Sequence, residues 1–155
     1  MADLEQLTSW HSDWKGLRAL VFGLGVSGFS AADTLAELGA TTLVVAEKAE
    51  ADLLDILDVI GVPHITGEAA TGLPTAVVEF QPEVIIVSPG IRPQNPLLVW
   101  AEQQGIAIWV DIDLAWRLRD KTERLAHWFT VTGTNGKTTT VQLLTAMLNE
   151  EIGRA

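Results

Sequence analysis

Apolar residues fall in short unbroken runs that alternate, along most of the chain, with stretches of helical spacing. Ala19 to Phe22 is a compact apolar run, the pattern of a strand buried on both faces. Phe29, Ala32, Leu35, Ala36 and Leu38 then recur at helical spacing, and Gly39 closes the segment. Leu43 to Ala46 is a second buried run, which completes a strand–helix–strand unit with an expected right-handed crossover. In "ADLLDILDVIG", Leu53, Leu54, Leu57 and Ile60 share one side and Asp52, Asp55 and Asp58 turn outward, which predicts an amphipathic helix. "PHIT" reads as a short strand and "TAVVEF" as an ambiguous helix. "EVIIVSPGI" is a buried strand that runs into a Pro-Gly turn, and "NPLLVWAEQQG" a helix with proline near its first turn. "IAIWV" is a further strand, and "DIDLAWRLRD" a short helix with basic residues near its C-terminal end, where the helix dipole favours them.

This alternation predicts an α/β fold: a Rossmann-like, doubly wound, mostly parallel sheet over residues 16–120, preceded by an extension, residues 1–15. "KTERL" is a polar connector. After it, "HWFTVTGTNGKTTTVQLLTAMLNE" reads as a new strand, a phosphate loop and a helix, so residues 121–155 are expected to be a linker and the opening of a second domain. A length of 155 residues suits one domain, or one domain plus a piece of another.

Composition narrows the function. Hydrophobic residues make up 48% and charged residues 19%, enough apolar surface for a core. Twenty acids against 10 bases give a formal net charge of −10, with no block of Lys or Arg. Such a chain has no general attraction for nucleic acid or anionic lipid, so any phosphate must be held locally by backbone N–H groups and helix ends. The absence of cysteine excludes disulfides and thiolate chemistry. The start "MADLEQLTSWHSDWKG" lacks the basic residues and apolar run of a signal peptide, and no apolar stretch is long enough for membrane insertion. A cytoplasmic protein is expected. The six tryptophans lie outside both glycine loops and are expected to pack.

The first glycine loop is "GLGVSG". Gly23, Gly25 and Gly28 fit G-x-G-x-x-G between a strand and a helix, the context that gives this motif its value. Gly23 permits the tight turn, Gly25 lets a phosphate approach the backbone, and Gly28 lets the helix pack on the strand. Glu47 closes the second strand, where a carboxylate can accept a ribose hydroxyl. The motif does not choose the nucleotide, and NAD stays open.

The second loop is "TGTNGKTT". Gly136, Lys137 and Thr138 match the end of the P-loop pattern, but Val131 stands at the leading glycine and Gly133 lies nearer. The backbone of Gly133, Thr134, Asn135, Gly136 and Thr139 can curl round the phosphates of ATP, Lys137 can neutralise them, and Thr138 can reach Mg²⁺.

"GLGVSGFSAADTLAELGA", "VIIVSPGI", "GIAIWVDIDLAW" and "VTGTNGKTTT", in this order and spacing, resemble the Mur ligases, the amide-forming enzymes of peptidoglycan precursor synthesis, over nearly the whole chain. The pair GLG-x-SG and SPGI resembles the branch that adds D-glutamate. That resemblance implies that the first domain binds UDP rather than NAD. Val26 and Ser27 would meet the diphosphate, Glu47 and Lys48 would lie at the uridine, and Ser88, Pro89 and Gly90 would line the same crevice. It also implies catalytic roles for Lys137 and Thr138, with ATP activating the carboxylate of UDP-N-acetylmuramoyl-L-alanine as an acyl phosphate that the amine of D-glutamate attacks. The sequence departs from the family at the second strand: aspartate often stands at Glu47, and another member has arginine at Ala49.

Family ligases are longer than this chain. The remaining ATPase sheet and the D-glutamate site therefore have no counterpart, and a fragment inactive alone is expected. Three rivals stand beside this reading. An NAD-dependent redox or sensor domain fits GLGVSG and Glu47 but not the terminal loop. A non-catalytic UDP-sugar-binding module fits the incomplete second domain. The folylpolyglutamate synthetase relatives share the ATP loop but begin with their ATPase domain.

Overall fold

The computed structural model describes residues 3–119 and 127–152. The chain divides into two compact units, Met1–Glu123 and Arg124–Ala155.

The first unit is built on five strands: β1 (Arg18–Phe22), β2 (Thr41–Ala46), β3 (His64–Thr66), β4 (Val84–Val87) and β5 (Ala107–Val110). All pairings are parallel and the order is β3-β2-β1-β4-β5. The chain thus builds outward from β1 to one side, then returns to the other side of β1, leaving a switch point between β1 and β4. Leu20 lies beside Leu43 on one neighbour and Ile85 on the other.

Five helices flank the sheet: α1 (Val26–Glu37), α2 (Ala51–Val59), α3 (Thr75–Phe80), α4 (Pro96–Gln103) and α5 (Asp111–Leu118). Strand side chains alternate between two cores. Ala19, Val21, Val44, Ala46, Val84 and Ile86 pack with Ala32 and Leu35 of α1, Leu57 of α2 and Leu114 of α5. Leu20, Phe22, Leu43, Val45, Ile85 and Val87 pack with Val77 of α3 and Leu97, Leu98 and Ala101 of α4. Helices on both faces explain why the strands are continuous apolar runs. Leu35, Leu57 and Leu97 are fully buried, each stabilising by about 1.5–3 kcal/mol.

The ambiguous "TAVVEF" is helical. Pro74 is extended at its start, only Val77 is buried, and Gln81 adopts a left-handed φ of 51° at its end. Residues ahead of β1 belong to the same core: Leu7 and Trp14 are buried, and the Trp14 indole donates to the Ser9 carbonyl at 3.0 Å. Arg117 fastens this segment, donating to the Leu4 and Leu7 carbonyls at 2.9 and 3.3 Å while lying over the Trp109 ring.

The second unit contains α6 (Lys137–Ile152), preceded by the glycine loop. The strand expected before that loop is not formed: residues 127–133 carry no strand. The apolar pattern of "WFTV" suits a strand, but a strand exists only as part of a ladder, and none of the described residues pairs with it. The connector "KTERL" lies outside the described residues. Among the described residues no helix is long and apolar enough to cross a membrane.

Candidate functional site

At the switch point the chain leaves β1 and β4 in two adjacent loops, Gly23–Gly25 and Ser88–Ile91. Open α/β sheets leave a crevice at such a point, beyond the C-terminal strand ends. Here it has two lobes. One, of about 600 Å³, is bounded by Gly23–Ser27, Lys48–Glu50, Ser88, Pro89 and Ile91. The other, of about 530 Å³, is bounded by Phe22, Gly23, Ala46–Lys48, Gly90–Arg92, Gln94 and Asn95.

The three glycines of the first loop do different work. Gly23 has φ of 100°, and a Cβ there would lie 2.7 Å from that of Ser88. A Cβ on Gly28 would lie 2.0 Å from the Gly23 carbonyl oxygen, so the helix reaches β1 only because this residue has no side chain. Both are demands of the fold. A Cβ on Gly25 would meet nothing within 4 Å, so the space in front of it is open.

Gly25 is also the N-cap of α1, and it offers no side-chain cap. No acidic residue occupies the first turn. The N–H groups of Val26, Ser27 and Gly28 therefore face the crevice end of a 12-residue helix with no intrahelical acceptor. A helix start of this kind is suited to an anion.

The opposite wall is tied to this loop. Ser88 Oγ donates to the Gly23 carbonyl at 3.0 Å, which joins the ends of β1 and β4. Glu47 and Lys48 stand exposed at the end of β2 and border the crevice. The structure thus brings Gly23, Gly25, Val26, Ser27, Glu47, Lys48, Ser88, Pro89 and Gly90 to one crevice. Gly28 lies beneath it as a packing residue. Arg92, Gln94 and Asn95 also line it, although the sequence reading stopped at the Pro-Gly turn before them. Their signal was position alone: they follow a strand end next to the switch point.

In the second unit, Gly133 has φ of 150° and Gly136 φ of 79°. Lys137 Nζ folds back to donate to the Gly133 carbonyl at 2.6 Å, and Thr140 N–H donates to the Gly136 carbonyl at 2.9 Å as α6 begins. Gly133, Thr134, Asn135, Gly136, Lys137, Thr138 and Thr139 are all exposed. Among the described residues no group of three His, Cys, Asp or Glu side chains could hold a metal ion.

Residues 17–110 match the family model described as Mur ligase MurD-like, N-terminal domain. The chain belongs to the MurD-like Mur ligase family. It is 56% identical over 151 residues to the UDP-N-acetylmuramoylalanine--D-glutamate ligase of Leifsonia xyli subsp. xyli, a match that covers 94% of this chain and 29% of that relative. With the enzyme of the same name from Tropheryma whipplei it shares 42% identity over 154 residues, covering 99% of this chain and 31% of the relative. The chain thus spans about a third or less of these MurD-like relatives, 29% and 31%. Among solved structures, the UDP-N-acetylmuramate-alanine ligase of Thermotoga maritima is similar with a TM-score of 0.49 at 18% identity, over 61% of this chain and 21% of that one.

Proposed function

We propose that the first unit holds the UDP part of UDP-N-acetylmuramoyl-L-alanine, and that the second opens the ATP-binding part of a cytoplasmic ligase adding D-glutamate to that substrate. On this reading residues 16–120 are the substrate domain, and residues 121–155 are the linker and start of the ATP-binding domain. The observation that carries it is the open space before Gly25 at an uncapped helix start, within a chain of the MurD-like family.

The diphosphate would accept hydrogen bonds from the Val26 and Ser27 N–H groups, with Gly25 admitting it to the backbone. Glu47 would accept from a ribose hydroxyl, and Lys48, which borders both lobes, would lie beside it at the uridine. Ser88 holds the facing loop in place through Gly23, and Pro89 and Gly90 form its surface.

The second loop fits a triphosphate. Two glycines in left-handed or extended-positive φ precede a 16-residue helix, and Lys137 Nζ rests on a carbonyl it can exchange for a phosphate oxygen. The substrate carboxylate oxygen would bond to the γ-phosphorus of ATP as the bond to the bridging oxygen of ADP breaks. The D-glutamate amine would then attack the acyl carbon and lose a proton as phosphate leaves. Lys137 would stabilise the charge on the transferring group, and Thr138 would supply an oxygen to Mg²⁺. Mg²⁺, when bound, neutralises charge on the phosphate oxygens. One hydroxyl is not a metal site, so the ion would come with the nucleotide. No described residue is assigned to D-glutamate.

Calorimetry of the chain with UDP-N-acetylmuramoyl-L-alanine and with NADH tests the proposal. Heat from the first ligand and a poor response to NADH are expected. Tight NADH binding with no response to the UDP ligand would overturn it and restore the redox-domain rival.

A further inference from the structure

We infer that Arg92 selects the base: its guanidinium donates to the uracil carbonyl that cytosine replaces by an amine. The inference rests on the proposal that the crevice holds UDP.

The two lobes differ in chemistry. The helix start of α1 borders only the lobe that contains Gly25, Val26 and Ser27. Arg92 borders only the other, together with Glu47, Gln94 and Asn95. If the diphosphate occupies the first lobe, the nucleoside is left for the second. Its volume of about 530 Å³ lies within the usual range for a small-ligand site.

Arg92 is unusual among the arginines described. Arg18 donates to the Gln81 carbonyl at 2.7 Å and pairs with Glu83. Arg117 fastens the N-terminal segment, and Arg119 lies 3.6 Å from the Trp116 ring centre. The Arg92 guanidinium alone of these has no hydrogen bond, ion pair or ring contact among the described residues; only its backbone carbonyl is used, accepting from the Asn95 N–H at 2.9 Å. The fold makes no use of the side chain, yet its position follows the loop that walls the crevice.

The neighbouring groups set what it can read. Arg92 and Lys48 can only donate. Asn95 Oδ1 already accepts from the Leu97 N–H at 2.9 Å, so its amide N–H groups are the freer part, and the Gln94 amide can donate or accept. Glu47 is the obligatory acceptor and is committed to the ribose on the proposed reading. A wall so rich in donors favours a base edge with carbonyl oxygens. Uracil has two, cytosine has one and an amine, and adenine has none. A donor-only guanidinium facing an amine leaves both unpaired, which makes the substitution costly rather than neutral.

UDP and CDP share ribose and diphosphate, so their ratio isolates the base. Calorimetry of the 155-residue chain is expected to give UDP about tenfold tighter than CDP, the size of one hydrogen bond to a charged group. Arg92→Ala should weaken UDP about tenfold, leave CDP nearly unchanged and bring the ratio near one. Arg92→Lys keeps the charge without the planar fork and should not restore the ratio. Thermal unfolding of both variants should match the parent, because the Arg92 side chain is exposed and holds nothing in place. Equal weakening of UDP and CDP would mean that Arg92 acts only as a charge, and it would overturn the inference. An unchanged ratio in Arg92→Ala would overturn it too. A parent chain with no response to UDP would remove the UDP reading itself, and Arg92's role with it.

Discussion

The two glycine loops are alike in sequence logic and unlike in what surrounds them. Each puts glycines ahead of a helix, and each leaves backbone N–H groups at that helix start. The first is clamped between β1 and β4, with Ser88 bonded across it and two of its glycines forced by atoms under 3 Å away. The second follows a segment without strand pairing, and its glycines meet at most one backbone oxygen, at 3.5 Å. A phosphate loop has two separable parts: local backbone chemistry, which a motif specifies, and a sheet that fixes its position. On the proposed reading the first loop has both. The second, on the same reading and among the described residues, has the chemistry alone.

The contrast breaks most visibly at Gly28. Gly28→Ala places a Cβ 2.0 Å from the Gly23 carbonyl oxygen and 2.8 Å from Ser88 Oγ. The first of these is backbone and cannot rotate away, so α1 must move off β1. A loss of about 3 kcal/mol is expected, the upper part of the range for overpacking. Urea denaturation followed by tryptophan fluorescence measures it. Stability within about 0.5 kcal/mol of the parent would mean that the loop is looser than its contacts imply.

Lys137 carries the largest expected effect on chemistry rather than on folding. Within a complete family ligase, Lys137→Ala should lower turnover by about 10²-fold, as for loss of one electrostatic stabiliser. Binding of the UDP substrate should change little, since its proposed site lies in the first unit. Near-normal turnover would remove the role proposed for Lys137.

What the sequence revealed follows the same division. β1, β2, β4 and β5 were legible because strands covered on both faces leave unbroken apolar runs, and α1 because its buried positions repeat over 12 residues. In α3 six residues give less than two turns, so periodicity could not decide. The 3-10 turns Leu4–Gln6 and Gly67–Ala70 are shorter still. That Trp14 packs was expected of a tryptophan, but the grip of Arg117 on Leu4 is a contact across distant chain, invisible to any local window. The expected strand at "WFTV" failed for the converse reason: its residues suit a strand, but pairing is not a local property. Within the site, glycines and strand-end residues were legible because a motif fixes their spacing. Arg92, Gln94 and Asn95 were not, because the path of a loop decides which side chains reach a crevice.

Gly25 separates fold from function inside one loop. Gly25→Val adds a side chain whose Cβ would meet nothing within 4 Å, at a residue whose φ of −95° is open to valine. Unfolding should stay near the parent, while affinity for UDP-N-acetylmuramoyl-L-alanine falls about tenfold or more as charge-assisted hydrogen bonds at the helix start are blocked. Loss of stability comparable to Gly28→Ala would show that Gly25 serves packing instead.

The smallest effect belongs to Gly136, and it sharpens the comparison because the substitution is the one applied to Gly28. Gly136→Ala introduces a Cβ with no atom within 4 Å, so no clash follows. Its φ of 79° is still one that alanine disfavours, at a cost of about 1–2 kcal/mol. That strain falls at the start of α6, in the unit Arg124–Ala155, and a single helix can relieve it by unwinding its first turn. The first unit should therefore unfold within about 0.5 kcal/mol of the parent, while circular dichroism records a small loss of helix. The two alanine variants would then differ by several-fold in their effect on denaturation, although each glycine is the last of its loop motif. A destabilisation by Gly136→Ala matching that of Gly28→Ala would mean that the second loop is held as firmly as the first, and the distinction between them would fail.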